Sequence, residues 1–176
     1  MFRIGTGIFF NKIHPNTIEY LNTLLDFSIR NIKNYTEVAP DCCTKKGYQS
    51  MNVLTYLSDS IKKDLTKEYF DIKDLFHLHL IHYHSNGNQI KHNHRNSEKY
   101  SFIVYLNDAD GDTVLYLKNK KEYKITPKKG KIVYFPGYLD HEGLLSTKNK
   151  RIAVGALQPQ TFIDQFTGEK FSLNYP

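Results

Sequence analysis

Histidine supplies the densest chemistry in this chain. The stretch FHLHLIHYHSNGNQIKHNH, from Phe76 to His94, holds six of the eight histidines. Side chains two apart on a strand share a face, so His77 and His79 point one way and His82 and His84 the other. Two opposed pairs cannot close on one ion. Alternating with Leu78, Leu80, Ile81 and Tyr83, these four read as packing or surface residues of a half-buried strand.

His92 and His94 are different: they follow the turn signal SNGN and share a face, and two imidazoles at that spacing can hold one metal at ~2.0–2.2 Å. Alone, H-x-H is an unspecific pattern. A third histidine strengthens it. In GKIVYFPGYLDHEGLL a glycine-bounded apolar strand ends at Pro136-Gly137, and His141 follows four residues later. If that strand runs antiparallel to the one carrying His92, His141 arrives at the open side of the same ion. Three ligands on one face leave positions for substrate and O₂, the arrangement of a non-haem iron centre. Glu98, four residues past His94, is the rival for the second ligand. Arg151 lies within KRIAVGAL among apolar neighbours, and a guanidinium on a core strand is costly unless an anion meets it.

The elements that must position these groups come in two blocks. The chain has 176 residues, enough for a single domain with one core. MFRIGTGIFF reads as a strand. Ile18, Leu21, Leu25, Ile29 and Ile32 recur at helical spacing after Pro15, and Leu57, Ile61 and Leu65 mark a second helix starting near Ser58 or Asp59. EVAPDCCTKKG reads as a loop. After Phe70, short apolar segments alternate with turn signals, the pattern of a sandwich or barrel. The fold class expected is therefore mostly β with N-terminal helices: a jelly roll, or double-stranded β-helix, with helices packed on one sheet. Residues 1–70 would form the helical support, 71–160 the metal-binding core and 161–176 a C-terminal extension.

Composition narrows the partners. The chain carries 24 Lys+Arg against 18 Asp+Glu, a formal charge of +6. The lysine run from Lys118 to Lys131 tilts the prime substrate toward an anion, and nucleic acid stays among the open partners although the arginines are few and unclustered. Cys42 and Cys43 are adjacent, with neither zinc nor disulfide-framework spacing, which suits a reducing, cytoplasmic setting. No apolar run approaches the ~18 residues of a membrane span.

From Leu78 to Leu157 the chain resembles the Fe(II)/2-oxoglutarate-dependent oxygenases, in the prolyl-hydroxylase-like branch and its small phage and bacterial relatives. The residues that carry the likeness are Tyr83, Gly87, His92-Asn93-His94, FIVYLND, GKIVYFPGYLDH and Arg151. The resemblance implies a hydroxylase using Fe(II), 2-oxoglutarate and O₂. His92, His94 and His141 would hold iron, Arg151 would receive the distal carboxylate of 2-oxoglutarate, and Tyr105, with Tyr83 as the lesser candidate, would help hold it. His94 stands where the family usually has a carboxylate. Two other readings fit the same residues. A three-histidine cupin, such as a thiol dioxygenase, matches H-x-H-x3-E through Glu98, and a metal-binding jelly roll without turnover needs only the imidazoles.

Overall fold

The computed structural model describes residues 2–4, 7–39, 41–118, 121–158, 161–163 and 170–172. β1 (Phe2–Ile4) and β2 (Ile8–Lys12) form a hairpin, followed by α1 (Pro15–Asn31), the short α2 (Tyr35–Val38), β3 (Thr44–Gln49) and α3 (Asp59–Thr66). The rest is strand: β4 (Leu75–His92), β5 (Tyr100–Tyr105), β6 (Thr113–Tyr116), β7 (Glu122–Ile125), β8 (Lys131–Pro136), β9 (His141–Gly143) and β10 (Lys150–Leu157). β11 (Thr161–Ile163) and β12 (Lys170–Ser172) pair separately, and the remainder of the expected C-terminal extension lies outside the described residues.

All pairings are antiparallel, in the order β1-β2-β8-β5-β10-β4-β9-β6-β7, with β3 also on β4. The sheet curls into a jelly roll because β4 belongs to both halves. Its first part pairs with β10 from Leu75 to Tyr83, and its end pairs with β9 at Gln89 and His92. The SNGN segment expected to be a turn is thus an irregularity within one long strand. Asn86 takes a positive φ of 63° there, and its N–H bonds the Ser146 carbonyl at 2.7 Å. This bend carries the histidines at its far end around the corner of the barrel.

Two apolar clusters follow from strand alternation. One fills the barrel: Ile81, Tyr83, Ile103, Tyr105, Leu115, Val133, Phe135 and Ile152. The other joins the outer face of the larger sheet, through Leu78, Leu80, Phe102, Val104 and Ala153, to the helices. α1 starts at Pro15 with the His14 ring accepting the Asn16 N–H, and it buries Ile18, Leu21, Leu25 and Ser28. The expected stripe ran one position further round: Ile29 is exposed, and the helix ends before Ile32. α3 starts as expected, with Ser58 capping the Ile61 N–H.

The stretch EVAPDCCTKKG is more ordered than a loop, since it holds part of α2 and enters β3. TKKGYQ lacks an alternating apolar pattern, so propensity alone does not reveal the strand. Pairing with β4 creates it. The N-terminal segment therefore supplies strands as well as helices. Gly47 permits that close pairing, because a Cβ there would stand 2.5 Å from the His82 carbonyl oxygen. Gly47→Ala should destabilise the protein by about 1–3 kcal/mol, read from chemical denaturation, as an extra methyl pries β3 from β4.

Candidate metal centre

β4 and β9 bring three imidazoles together. His92 and His141 face each other across the strand pair. His94 lies just beyond β4, where its N–H bonds the Gly137 carbonyl at 2.7 Å and the neighbouring Asn93 amide donates to Asp140 at 2.7 Å. These two bonds tie the H-x-H segment to the loop that precedes His141. One ring nitrogen from each of His92, His94 and His141 lies within 4.8 Å of the others. Glu98 is not in that group, although its backbone N–H bonds the His94 carbonyl.

The rings are prepared as neutral ligands. Nδ1–H of His92 donates to the Ile90 carbonyl at 2.8 Å, and that of His141 to the Leu139 carbonyl at 3.0 Å. Each bond fixes the tautomer and leaves Nε2 as the acceptor nitrogen. Burial holds all three below the ordinary histidine range, with the neighbouring imidazoles adding to it at His94 and His141. His94 is brought down to about 4 and His141 to about 3. Cys43 Sγ lies 3.6 Å from His92 Nε2, and burial pushes its thiol up to about 11, so it stays protonated near neutrality.

Arg151 requires a correction. It alternates with Ile152 on β10, so it faces the helices rather than the barrel. Its guanidinium pairs with Asp26 of α1 at 2.7 Å and donates to Asn22. The anion that meets this arginine belongs to the protein. Its neighbour Lys150 points inward instead and is 2% exposed. The ammonium donates to the Gly111 carbonyl at 2.8 Å and sits 5.0 Å from the Tyr83 ring centroid. Among the described residues no carboxylate lies within ion-pair distance of it. Burial pulls Lys150 from its ordinary 10.5 down to about 8.

This ammonium lies beside β9. It is 3.7 Å from where a Cβ on Gly143 would stand, and Gly143 shares the inward face of β9 with His141. The Tyr83 hydroxyl is buried, lies near Thr44 and makes no hydrogen bond of ordinary geometry. The Tyr105 hydroxyl is already bonded to Thr113 at 2.8 Å. A buried ammonium bonded to the Gly111 and Leu144 carbonyls, with the ring of a tyrosine whose hydroxyl is unbonded and a glycine nearby, is a candidate cradle for a small anion. Of the two tyrosines, Tyr83 has the free capacity.

His77 and His79 also differ from the sequence-based expectation. They do oppose His82 and His84, but they share the inward face with Ile81 and Tyr83 and line a cavity with His94 and His141. Parity along β4 was the available signal. The same arithmetic on KRIAVGAL separates Lys150 from Arg151: Lys150 falls in step with Ile152 only at spacing two.

A family model described as the 2OG-Fe(II) oxygenase superfamily matches residues 73–156. This segment belongs to that superfamily. The match takes in all of β4 to β9 and most of β10, and with them the three histidines and Lys150. Enzymes of this superfamily use Fe(II) and 2-oxoglutarate, which favours it over the cupin and non-catalytic readings. No curated protein matches the chain. Among solved structures, a prolyl-4-hydroxylase from Pseudomonas putida shares 14% identity over 87% of this chain and 92% of its own, with a TM-score of 0.60. A Trichoplax adhaerens prolyl hydroxylase, in complex with a hypoxia-inducible-factor peptide, shares 15% over 88% and 84%, with a TM-score of 0.63. A non-haem α-ketoglutarate-dependent epimerase from nogalamycin biosynthesis shares 8% over 96% and 88%, with a TM-score of 0.64. The jelly roll of this chain is thus a shared scaffold. No helix among its described residues is long and apolar enough to cross a membrane.

Proposed function

We propose that this oxygenase is a hydroxylase that holds Fe(II) on His92, His94 and His141 and the distal carboxylate of 2-oxoglutarate on Lys150 and Tyr83. The observation that carries the reading is the pairing of three neutral, converging imidazoles with a buried ammonium that, among the described residues, has no carboxylate within ion-pair distance and feels Asp110 and Asp112 only from further off. When bound, iron and the keto acid supply oxidising power: O₂ and 2-oxoglutarate are consumed, succinate and CO₂ leave, and a substrate C–H becomes C–OH. The chain's own groups do the rest. Ile90 and Leu139 carbonyls orient two of the rings, Lys150 and Tyr83 fix the diacid, and Phe135, edge-on to His141 at 4.9 Å, helps exclude water.

The direct test loads the protein with ferrous ion under anaerobic conditions, adds 2-oxoglutarate and then air. Succinate above the iron-free background is the expected result. Tight iron binding with no succinate would mean a binding module instead. Three neutral imidazoles leave the ferrous charge uncancelled until the dianion arrives, where a histidine pair with a carboxylate would overshoot. His94→Asp should therefore keep the metal and raise succinate release without substrate by about 10-fold, as extra negative charge supports oxidised iron. Loss of iron in that variant would show that the third imidazole is required for binding itself.

A further inference from the structure

The cavity that opens from the histidines holds polar groups with no part in binding iron or the keto acid. Its volume is about 320 Å³, at the small end for ligand sites, so it admits a group the size of one side chain. Phe76, Ile103, Phe135, Val154 and Ala156 give it apolar walls. Glu98 brings a carboxylate into it, and His79 adds an acceptor. Nδ1–H of His79 donates to the Ser50 carbonyl at 2.7 Å, which leaves Nε2 with its lone pair. The carboxylate takes a hydrogen bond from the Ser101 hydroxyl. Among the described residues no lysine or arginine lines the cavity.

Glu98 is only partly exposed, and a carboxylate in such a place is costly without a cation or several N–H donors. Arg151 and Lys150 show that this chain places cations on β10, yet among the described residues the cavity carboxylate receives none. We propose that Glu98 selects the prime substrate, and that the site takes an aliphatic cation, an amine or guanidinium on an apolar stem. The nitrogen meets Glu98, and the stem lies along the apolar walls with its C–H bonds toward the histidines. Glu98 is then a specificity-determining residue, and a carboxylate at the cavity outweighs the overall basic charge of the surface. This proposal rests on the hydroxylase reading above.

The test uses the full chain with ferrous ion, 2-oxoglutarate and air. Four probes are compared: N-acetyl amides of L-lysine and L-arginine against their neutral counterparts, 6-hydroxynorleucine and citrulline. At least one cationic probe should raise succinate release and gain one oxygen atom by mass spectrometry, and it should exceed its neutral counterpart by about 30-fold, the size of a lost buried charge pair. In Glu98→Gln that ratio should fall toward one. Being internal, the ratio is unmoved by a general loss of activity. Equal responses within each pair, or a response to none of the four, would overturn the proposal. If succinate fails to form even without a probe, the hydroxylase reading fails instead. Calorimetric binding of the same four probes to the metal-free protein then decides this inference separately: a cation preference upholds it, and equality overturns it.

Discussion

His141→Ala should release iron and abolish succinate formation, with losses beyond the ~10–100-fold typical when only a ligand's outer hydrogen-bond partner is changed. His141 is 3% exposed, is fixed by the Leu139 carbonyl, and comes from β9, whereas His92 ends β4 and His94 lies just beyond it. Without it, two imidazoles from neighbouring positions remain, and nothing closes the third side of the ion. Equilibrium dialysis with Fe(II), or with Co(II) as an air-stable reporter, would show the loss directly. Retention of one metal per chain in His141→Ala, with full succinate formation, would remove this centre as the site of chemistry. The substitution should be tolerated structurally, because all three rings are neutral in the folded protein and no buried charge is stranded.

Lys150→Met should weaken 2-oxoglutarate binding by about 2–5 kcal/mol while leaving iron occupancy intact. Arg151→Met should leave that affinity within about 2-fold, since its guanidinium serves Asp26 on the far face of the sheet. The pair of variants separates adjacent residues by which side of β10 they occupy. Metal-free Lys150→Met should keep the parent's stability to within about 2 kcal/mol, because the relief of burying a charge is offset by the loss of its bonds to the Gly111 and Leu144 carbonyls. Weak 2-oxoglutarate binding in Arg151→Met, with normal binding in Lys150→Met, would reverse the assignment.

Protonation gives the same hypothesis a second reading. The Lys150 ammonium loses its proton near pH 8 in the folded protein, against about 10.5 for an ordinary lysine. The unfolded chain therefore binds more protons between those values, so the ligand-free protein gains stability as pH rises through that window. Affinity for the diacid should move the opposite way. Above about pH 8 the free protein must take up a proton to restore the ammonium, and binding should weaken by up to about 10-fold per pH unit. Calorimetric titrations at pH 7 and pH 9 in buffers of different ionisation enthalpy would detect the proton uptake. Lys150→Arg, whose charge persists across that range, should flatten the dependence.

Alternation of apolar residues after Phe70 specified a β core with helices ahead of it, since the period of a strand and the period of a helix are local properties of the chain. The H-x-H spacing and the later histidine marked a candidate metal site for the same reason: ligand chemistry is written in residue types. What the sequence left open was decided by pairing. β3 exists because β4 offers it partners, and the bend at Asn86 and Gly87 turns one strand into two faces of a barrel. Parity along β10, anchored only when Ile152 and Val154 pack inward, sends Lys150 into the barrel and Arg151 to α1. A shift of one residue on a strand exchanges its faces, and burial against the rest of the fold settles which face is which.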